Sequence, residues 1–326
     1  MAVADHALSW SAQGGDYLRR GEWLAGVGYR YQYSDHLFHG TTDLGHTDGN
    51  PSFKNRAIHF IDLHATYMAT KRLSLSLTLP FKYADSTSSY EHDFVHFHTM
   101  HAGGLGDIRL AAGFWLLDPA KQREEDRKHR NISLGLGVKF PTGDYQATDT
   151  SYRGTGPIQW PVHPSLQLGT GGWGIVLQMD AFHEVFRNGF VYASGSYTIE
   201  PRNVNGVPVI EYPGVQSVPD SYVGTIGLSY MIWPKQGLSL SLGGRIEGLP
   251  VHDLLGGSEG YRGAGYVISI EPGLAWSRGR NTFTMSAPVA LERNRQATVA
   301  ERRAGWQGYA AAFADFLIQA SYSRRF

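Results

Sequence analysis

Fourteen histidines and no cysteine set the chemical vocabulary of this 326-residue chain. Disulfides, thiol catalysis and thiolate metal sites are excluded at once. Imidazole remains, and it is bunched: His36, His39 and His46 fall in one polar stretch, and His92, His96, His98 and His101 in another. If the second stretch is extended, His92, His96 and His98 share a face. Imidazoles gathered this way, with Glu91 or Asp93 beside them, are donors for Zn²⁺, Cu²⁺ or Ni²⁺. The spacing matches no fixed metal motif, however, and polar surface loops carry histidines that ligate nothing. No cofactor is implied.

Hydrolysis is the second chemistry open to these residues. A nucleophile with an adjacent base is available at His163-Pro164-Ser165, and Asp62 with His64 forms a carboxylate and imidazole pair. Neither sits in a catalytic motif. A carboxylate and a histidine two apart on one face more often form a structural hydrogen bond, so the chain reads as a non-enzyme. A third set consists of Arg30, Asp62, His64, Asp107, Arg109, Lys139, Asp180, Arg245 and Glu271, each out of phase with apolar neighbours. Facing one enclosed space, they would make a constriction of mixed charge that orders water and screens solutes. They would equally well pair across that space and brace it.

The elements that position these residues are strands. In Leu73 to Tyr83, LSLSLTLPFKY, leucine holds 73, 75, 77 and 79, followed on the same parity by Phe81 and Tyr83; Ser74, Ser76, Thr78, Pro80 and Lys82 hold the other. A period of two separates the faces of a sheet, so one side is continuously apolar and the other small and hydroxylated. Leu238, Leu240 and Leu242 against Ser239 and Ser241 repeat the pattern. A soluble sandwich would need a second sheet against such a face, whereas an outer-membrane barrel needs only lipid. No run approaches the roughly 18 to 20 apolar residues of a spanning helix. Mean hydropathy is slightly negative, which says little of strands that show only half their residues to lipid.

About twelve strands follow in order, the first over 21–33 and the last ending at Phe326, an even number that leaves both termini on one side. Long connections (34–55, 84–104, 141–171, 201–218, 249–264, 292–303) alternate with short ones (71–72, 184–188, 234–236), as expected of extracellular loops and periplasmic turns. Only 118–130 departs from this. Rings gather near the strand ends, with Trp23, Tyr67, Trp115, Trp233 and Trp276 below and Tyr29, Tyr31, Tyr83, Phe140, Trp173 and Tyr266 above, where amphipathic rings meet headgroups. The predicted fold is therefore all-β, a transmembrane up-and-down antiparallel barrel over 21–326. Residues 1–20 form a periplasmic tail or a segment tucked into the barrel mouth. The opening MAVADHALSW has no basic, apolar leader and reads as a mature form. Balanced charge gives no reason to bind nucleic acid.

Three stretches go further than a generic barrel. Gly103-Gly104-Leu105-Gly106-Asp107-Ile108 is followed by Gly137-Val138-Lys139-Phe140-Pro141-Thr142-Gly143-Asp144 and then by Gly169-Thr170-Gly171-Gly172-Trp173. In this order they resemble the outer-membrane family named for the meta-cleavage pathway of phenol degradation. Physically they read as architecture, glycines for close approach and Pro141-Thr142-Gly143-Asp144 for a turn. The resemblance implies a monomeric barrel of the Gram-negative outer membrane that lets small, often hydrophobic or aromatic, compounds through passively. Lipid and solutes are its expected partners, with the barrel-assembly machinery reading Phe326. The competing expectation is a non-transport barrel whose histidine-rich loops bind a metal or an extracellular partner.

Overall fold

The computed structural model describes residues 17–45, 53–119, 129–210 and 214–326. Twelve strands make the wall: β1 (Trp23–Ser34), β2 (Phe53–Met68), β3 (Leu73–Ser88), β4 (His98–Leu105, resuming as Arg109–Trp115), β5 (Arg130–Lys139) and β6 (Gly174–Phe186). They continue as β7 (Gly189–Ile199), β8 (Ser221–Trp233), β9 (Leu238–Leu249), β10 (Gly265–Arg278), β11 (Asn281–Ser286, resuming as Val289–Arg295) and β12 (Phe316–Arg325). Each pairs antiparallel with the next, and β12 pairs back on β1 from Leu24↔Arg325 to Tyr33↔Phe316, which closes the cylinder. This is the fold of a bacterial outer-membrane barrel.

Its surface inverts that of a soluble protein. Leu136 is 61% exposed and Ile226 63%, and Leu75, Leu77, Leu240 and Leu242 also look outward, while Ser239, Thr284 and Ser286 are buried on the inner face. In water each such leucine would forgo roughly 1.5–3 kcal/mol of burial, so hydrocarbon is the solvent that fits. Trp23, Trp233 and Trp276 at the lower rim and Tyr29, Tyr83 and Trp173 at the upper one are exposed, as a belt requires. Trp115 is the exception to the expected belt. It follows Gly113 on the inward parity of β4, is 4% exposed, and points into the lumen.

The upper part of the wall is taller than the alternation suggests. β3 continues through Ala84, Asp85, Ser86, Thr87 and Ser88 and pairs with β4 up to Ser88↔His98, so most of the expected loop 84–104 is ladder. A polar, small-residue strand pairs through its backbone and needs no apolar face, which is why it reads as loop. The connection over 141–171 holds a hairpin, Thr148–Arg153 with Gly156–Pro161, and 201–218 holds another, Val204–Pro208 with Val215–Ser217. After β11 breaks at Ala287-Pro288, it resumes to Arg295, and a short helix α1 (Val299–Arg303) follows inside the expected loop 292–303. Thr298 and Glu301 form a capping box, and Arg295 is ion-paired to Glu301 at 2.7 Å. The expected connection 118–130 lies largely outside the described residues, as do His46 and most of the N-terminal tail.

Candidate functional site

Of the nine charged or titratable residues assigned to the interior, eight stand on inward-facing strand positions and Asp107 in the break of β4, and the register sets Arg109 directly beside Lys139. Lys139 ends β5 and donates to Asp107 Oδ2 (2.6 Å), Thr170 Oγ1 (2.8 Å) and the Gly172 carbonyl (2.8 Å), with Glu200 Oε1 at 3.1 Å. Asp107 sits where β4 is interrupted. Its carboxylate also accepts from the backbone N–H of Gly143 (3.0 Å) and of Thr170 (3.1 Å). One buried carboxylate thus ties β4, β5 and the long loop after β5 together.

The glycine-rich stretches make that knot. A Cβ on Gly143 would stand 2.6 Å from the Leu168 carbonyl, which excludes a larger side chain there, and one on Gly106 would stand 3.1 Å from it, a tight fit. Gly171 has φ +79°, and a Cβ there would meet the Tyr145 ring at 2.7 Å. Asp144 accepts from the N–H groups of Leu168 and Gln146, and Thr142, following Pro141, donates to the Gly106 carbonyl. Gly104 lies at the upper end of this interruption, with Leu168 3.0 Å from where its Cβ would be. Trp173 belongs to the outer belt, with its ring 5.1 Å from that of Phe140.

Across the lumen runs a second chain of charge. Arg245 donates to Glu247 at 2.8 Å and approaches Glu271 at 3.6 Å, while Arg30 reaches Glu247 at 3.9 Å. Glu271 further accepts from Ser286 and Gln319. Asp62 lies within electrostatic reach of Arg30 and Arg109, and Asp180 accepts from Ser194 at 2.8 Å. The His64 ring fills the space beside Gly26, whose Cβ would lie 2.7 Å from Nε2. Asp62 and His64 therefore serve the lumen wall. Glu200 lies just beyond β7, and burial pushes its carboxyl up to about 7, against the pull of Lys139 and with the push of Asp107.

Above this belt is a cavity of about 1090 Å³, lined among others by Phe53, Ile58, Phe60, Leu168, Arg56 and Lys82. Below it the lumen is filled. Tyr17 and Leu18, from the segment before β1, are buried against Met68, Trp115, Phe182, Phe190 and Tyr192. The Tyr17 ring stands edge-on to Trp115 with centroids 5.2 Å apart, and its hydroxyl accepts from Asn131 Nδ2 at 3.1 Å. The sequence offers residues 1–20 as a segment tucked into the barrel mouth without singling out Tyr17 or Leu18, although large rings at 182, 190 and 192 on the otherwise small, hydroxylated parity are the signal of what they meet. Nor does it single out Lys82 and Arg56, which share the inward parity.

The histidines do not converge as expected. His92 and His98 have ring centroids 5.0 Å apart, but His96 is turned to Asp93 at 2.7 Å, and among the described residues no three His, Asp or Glu side chains form a metal-sized group. His163 and Ser165 do meet, Nδ1 to Oγ at 2.7 Å, but the same Nδ1 also accepts the Ser165 N–H at 3.0 Å, the geometry of a local turn. Both line the cavity.

No family model and no curated protein matches the chain. Among solved structures it is similar to an outer membrane channel from Pseudomonas putida F1, with TM-score 0.62 and 16% identity over 100% of both chains. It also matches the P. putida toluene transporter TodX at TM-score 0.45 and 13% identity, over 100% of this chain and 95% of that one. The first likeness establishes the fold; the second adds nothing to it.

Proposed function

We propose that the protein is an outer-membrane channel for passive uptake of small solutes, apolar and aromatic ones above all. The cavity carries this reading: a partly open space of about 1090 Å³ in the outer half of a membrane-spanning cylinder, lined by apolar side chains such as Phe53, Ile58, Phe60 and Leu168 together with convergent charges of both signs. Beneath it the charged belt meters what descends, and the Tyr17 and Leu18 floor is the part that moves. The resemblance of the glycine-rich stretches to the meta-cleavage family supports the choice of cargo. In this reading Phe326, exposed at the lower rim and paired through its backbone to Trp23, is the address read by the assembly machinery.

Reconstitution into planar bilayers and liposomes tests the channel. We expect small, fluctuating conductance from the intact chain and larger, steadier conductance once the residues before Trp23 are removed. A folded barrel that stays closed to ions and small solutes in both forms would overturn the reading.

A further inference from the structure

One feature of the cavity is left unused by the belt and the floor. At a single level of the wall, Arg30 of β1, Phe60 of β2 and Lys82 of β3 are register partners in a row, all inward. The Arg30 guanidinium lies 4.2 Å from the Phe60 ring centroid and the Lys82 ammonium 5.6 Å from it. Two turns of the pleat higher, Arg56 pairs across to Ser86 and lines the same space. We infer that this row, with Arg56 above it, is a subsite for the carboxylate of a small aromatic acid, a reading that rests on the proposed channel and names its cargo.

The charge count at this level supports the assignment. Among the described residues Lys82 has no carboxylate within ion-pair distance; two of its three N–H donors go to the carbonyls of Ser165 (2.6 Å) and Gln167 (2.7 Å), and the third is left for the lumen. Arg56, 5% exposed, donates to the hydroxyls of Ser86 and Tyr90, both at 3.4 Å, and lies 5.3 Å from the Phe53 ring centroid, with no carboxylate at ion-pair distance among the described residues. Arg30 is nine-tenths buried and its Nε has no hydrogen-bond partner. Of the carboxylates lining the cavity, Glu247 is shared by Arg245 and Arg30, Asp62 is within electrostatic reach of Arg30, Asp107 and Glu200 are held by Lys139, and Asp43 by His36 and the Gly45 N–H, so Lys82 and Arg56 are the cations left without one. Lysine and arginine are seldom buried without a counter-ion. Here neither Lys82 nor Arg56 has one.

The surroundings choose between anions. Ile58, Phe60 and Leu168 line the cavity beside the cations, so a hydrated inorganic anion would lose water without gaining contacts. A carboxylate carried on a flat ring keeps both terms, charge-assisted hydrogen bonds at one end and apolar contact at the other.

Calorimetric titration of the detergent-purified barrel with benzoate, acetate and inorganic phosphate tests the subsite, and arabinose-driven liposome swelling of the same preparations tests the channel separately. Benzoate should bind saturably and at least about tenfold more tightly than acetate or phosphate. Lys82→Met and Arg56→Gln should each weaken it about tenfold, and Lys82→Arg, which keeps the charge, should restore most of the loss. Absence of saturable benzoate binding, equal binding of acetate or phosphate, or indifference to both variants would overturn the subsite. Swelling without benzoate binding leaves the channel standing and the subsite refuted; binding without swelling does the reverse.

Discussion

Two side-chain clusters occupy the lumen, held together by opposite means. At the level of Lys139 the cluster is ionic: a buried ammonium is surrounded by two buried carboxylates, the Thr170 hydroxyl and the Gly172 carbonyl. At the floor it is a pack of rings, Tyr17 wedged edge-on against Trp115 with Phe182 at 6.2 Å. The two differ in what happens when one member leaves. Withdrawing a ring forfeits dispersion and apolar burial, losses that water entering the mouth partly replaces. Withdrawing one charge from a buried pair leaves its partner uncompensated in a low dielectric, which costs far more. On the proposed channel reading the belt is the fixed part of the lumen and the floor the movable part, in keeping with the chain order: the belt is built from strand ends and anchored loops, the floor from a segment outside the ladder.

The largest effect should come from breaking the belt. Lys139→Met removes the ammonium that Asp107 and Glu200 share, and we expect a loss of about 3–5 kcal/mol of folding stability, read as a lowered unfolding midpoint in micelles. A loss under about 1 kcal/mol would mean that the belt is no more fixed than the floor.

The same belt should show a pH signature that the floor lacks. With the folded pKa of Glu200 raised to about 7 from an ordinary 4.5, the folded state holds a proton that the unfolded chain has released between those values. Its contribution is therefore full below about pH 4.5 and lost as pH rises through 7, with a slope of at most about 1.4 kcal/mol per pH unit. Glu200→Gln should flatten that slope. Stability that instead rises across the window in the parent protein would reverse the assignment.

Next in size is the floor. Tyr17→Ala with Leu18→Ala should cost about 1–2 kcal/mol, less than the sum of two full side-chain burials because the tail lies outside the ladder, yet raise single-channel conductance severalfold. If conductance is unchanged while stability falls, the floor is a brace and the comparison collapses into two structural layers.

How far this division could be read from sequence follows from what each part depends on. The parity of single strands suffices to put Lys139, Arg245 and Glu271 inside, because a strand has one degree of freedom once its apolar face is known. Which of them meet depends on register across several strands and on loops that fold inward, and Glu200, beyond Ile199 in a proline-rich stretch, carries no strand pattern. Nearness to a strand end points Trp115 to the belt, whereas its parity, the signal the fold follows, points it to the interior. Tyr17 lies in a polar, unpatterned tail, where a single buried ring leaves no periodicity. Lys82 was visible within LSLSLTLPFKY, but its lack of a counter-ion is a property of three neighbouring strands.

The smallest test separates packing from polarity within the floor. Tyr17→Phe keeps the ring, its edge-on contact to Trp115 and the apolar volume, and removes the hydroxyl that accepts from Asn131. Asn131 retains its bond to the Leu117 carbonyl, so the donor group is not wholly orphaned, and the loss should be about 0.5–1.5 kcal/mol. Conductance should stay near that of the parent, because the wedge that fills the lumen is still in place. Should Tyr17→Phe open the channel as widely as Tyr17→Ala with Leu18→Ala, the floor would be latched by its hydrogen bond rather than by its rings, and both clusters in the lumen would be held by polar contacts.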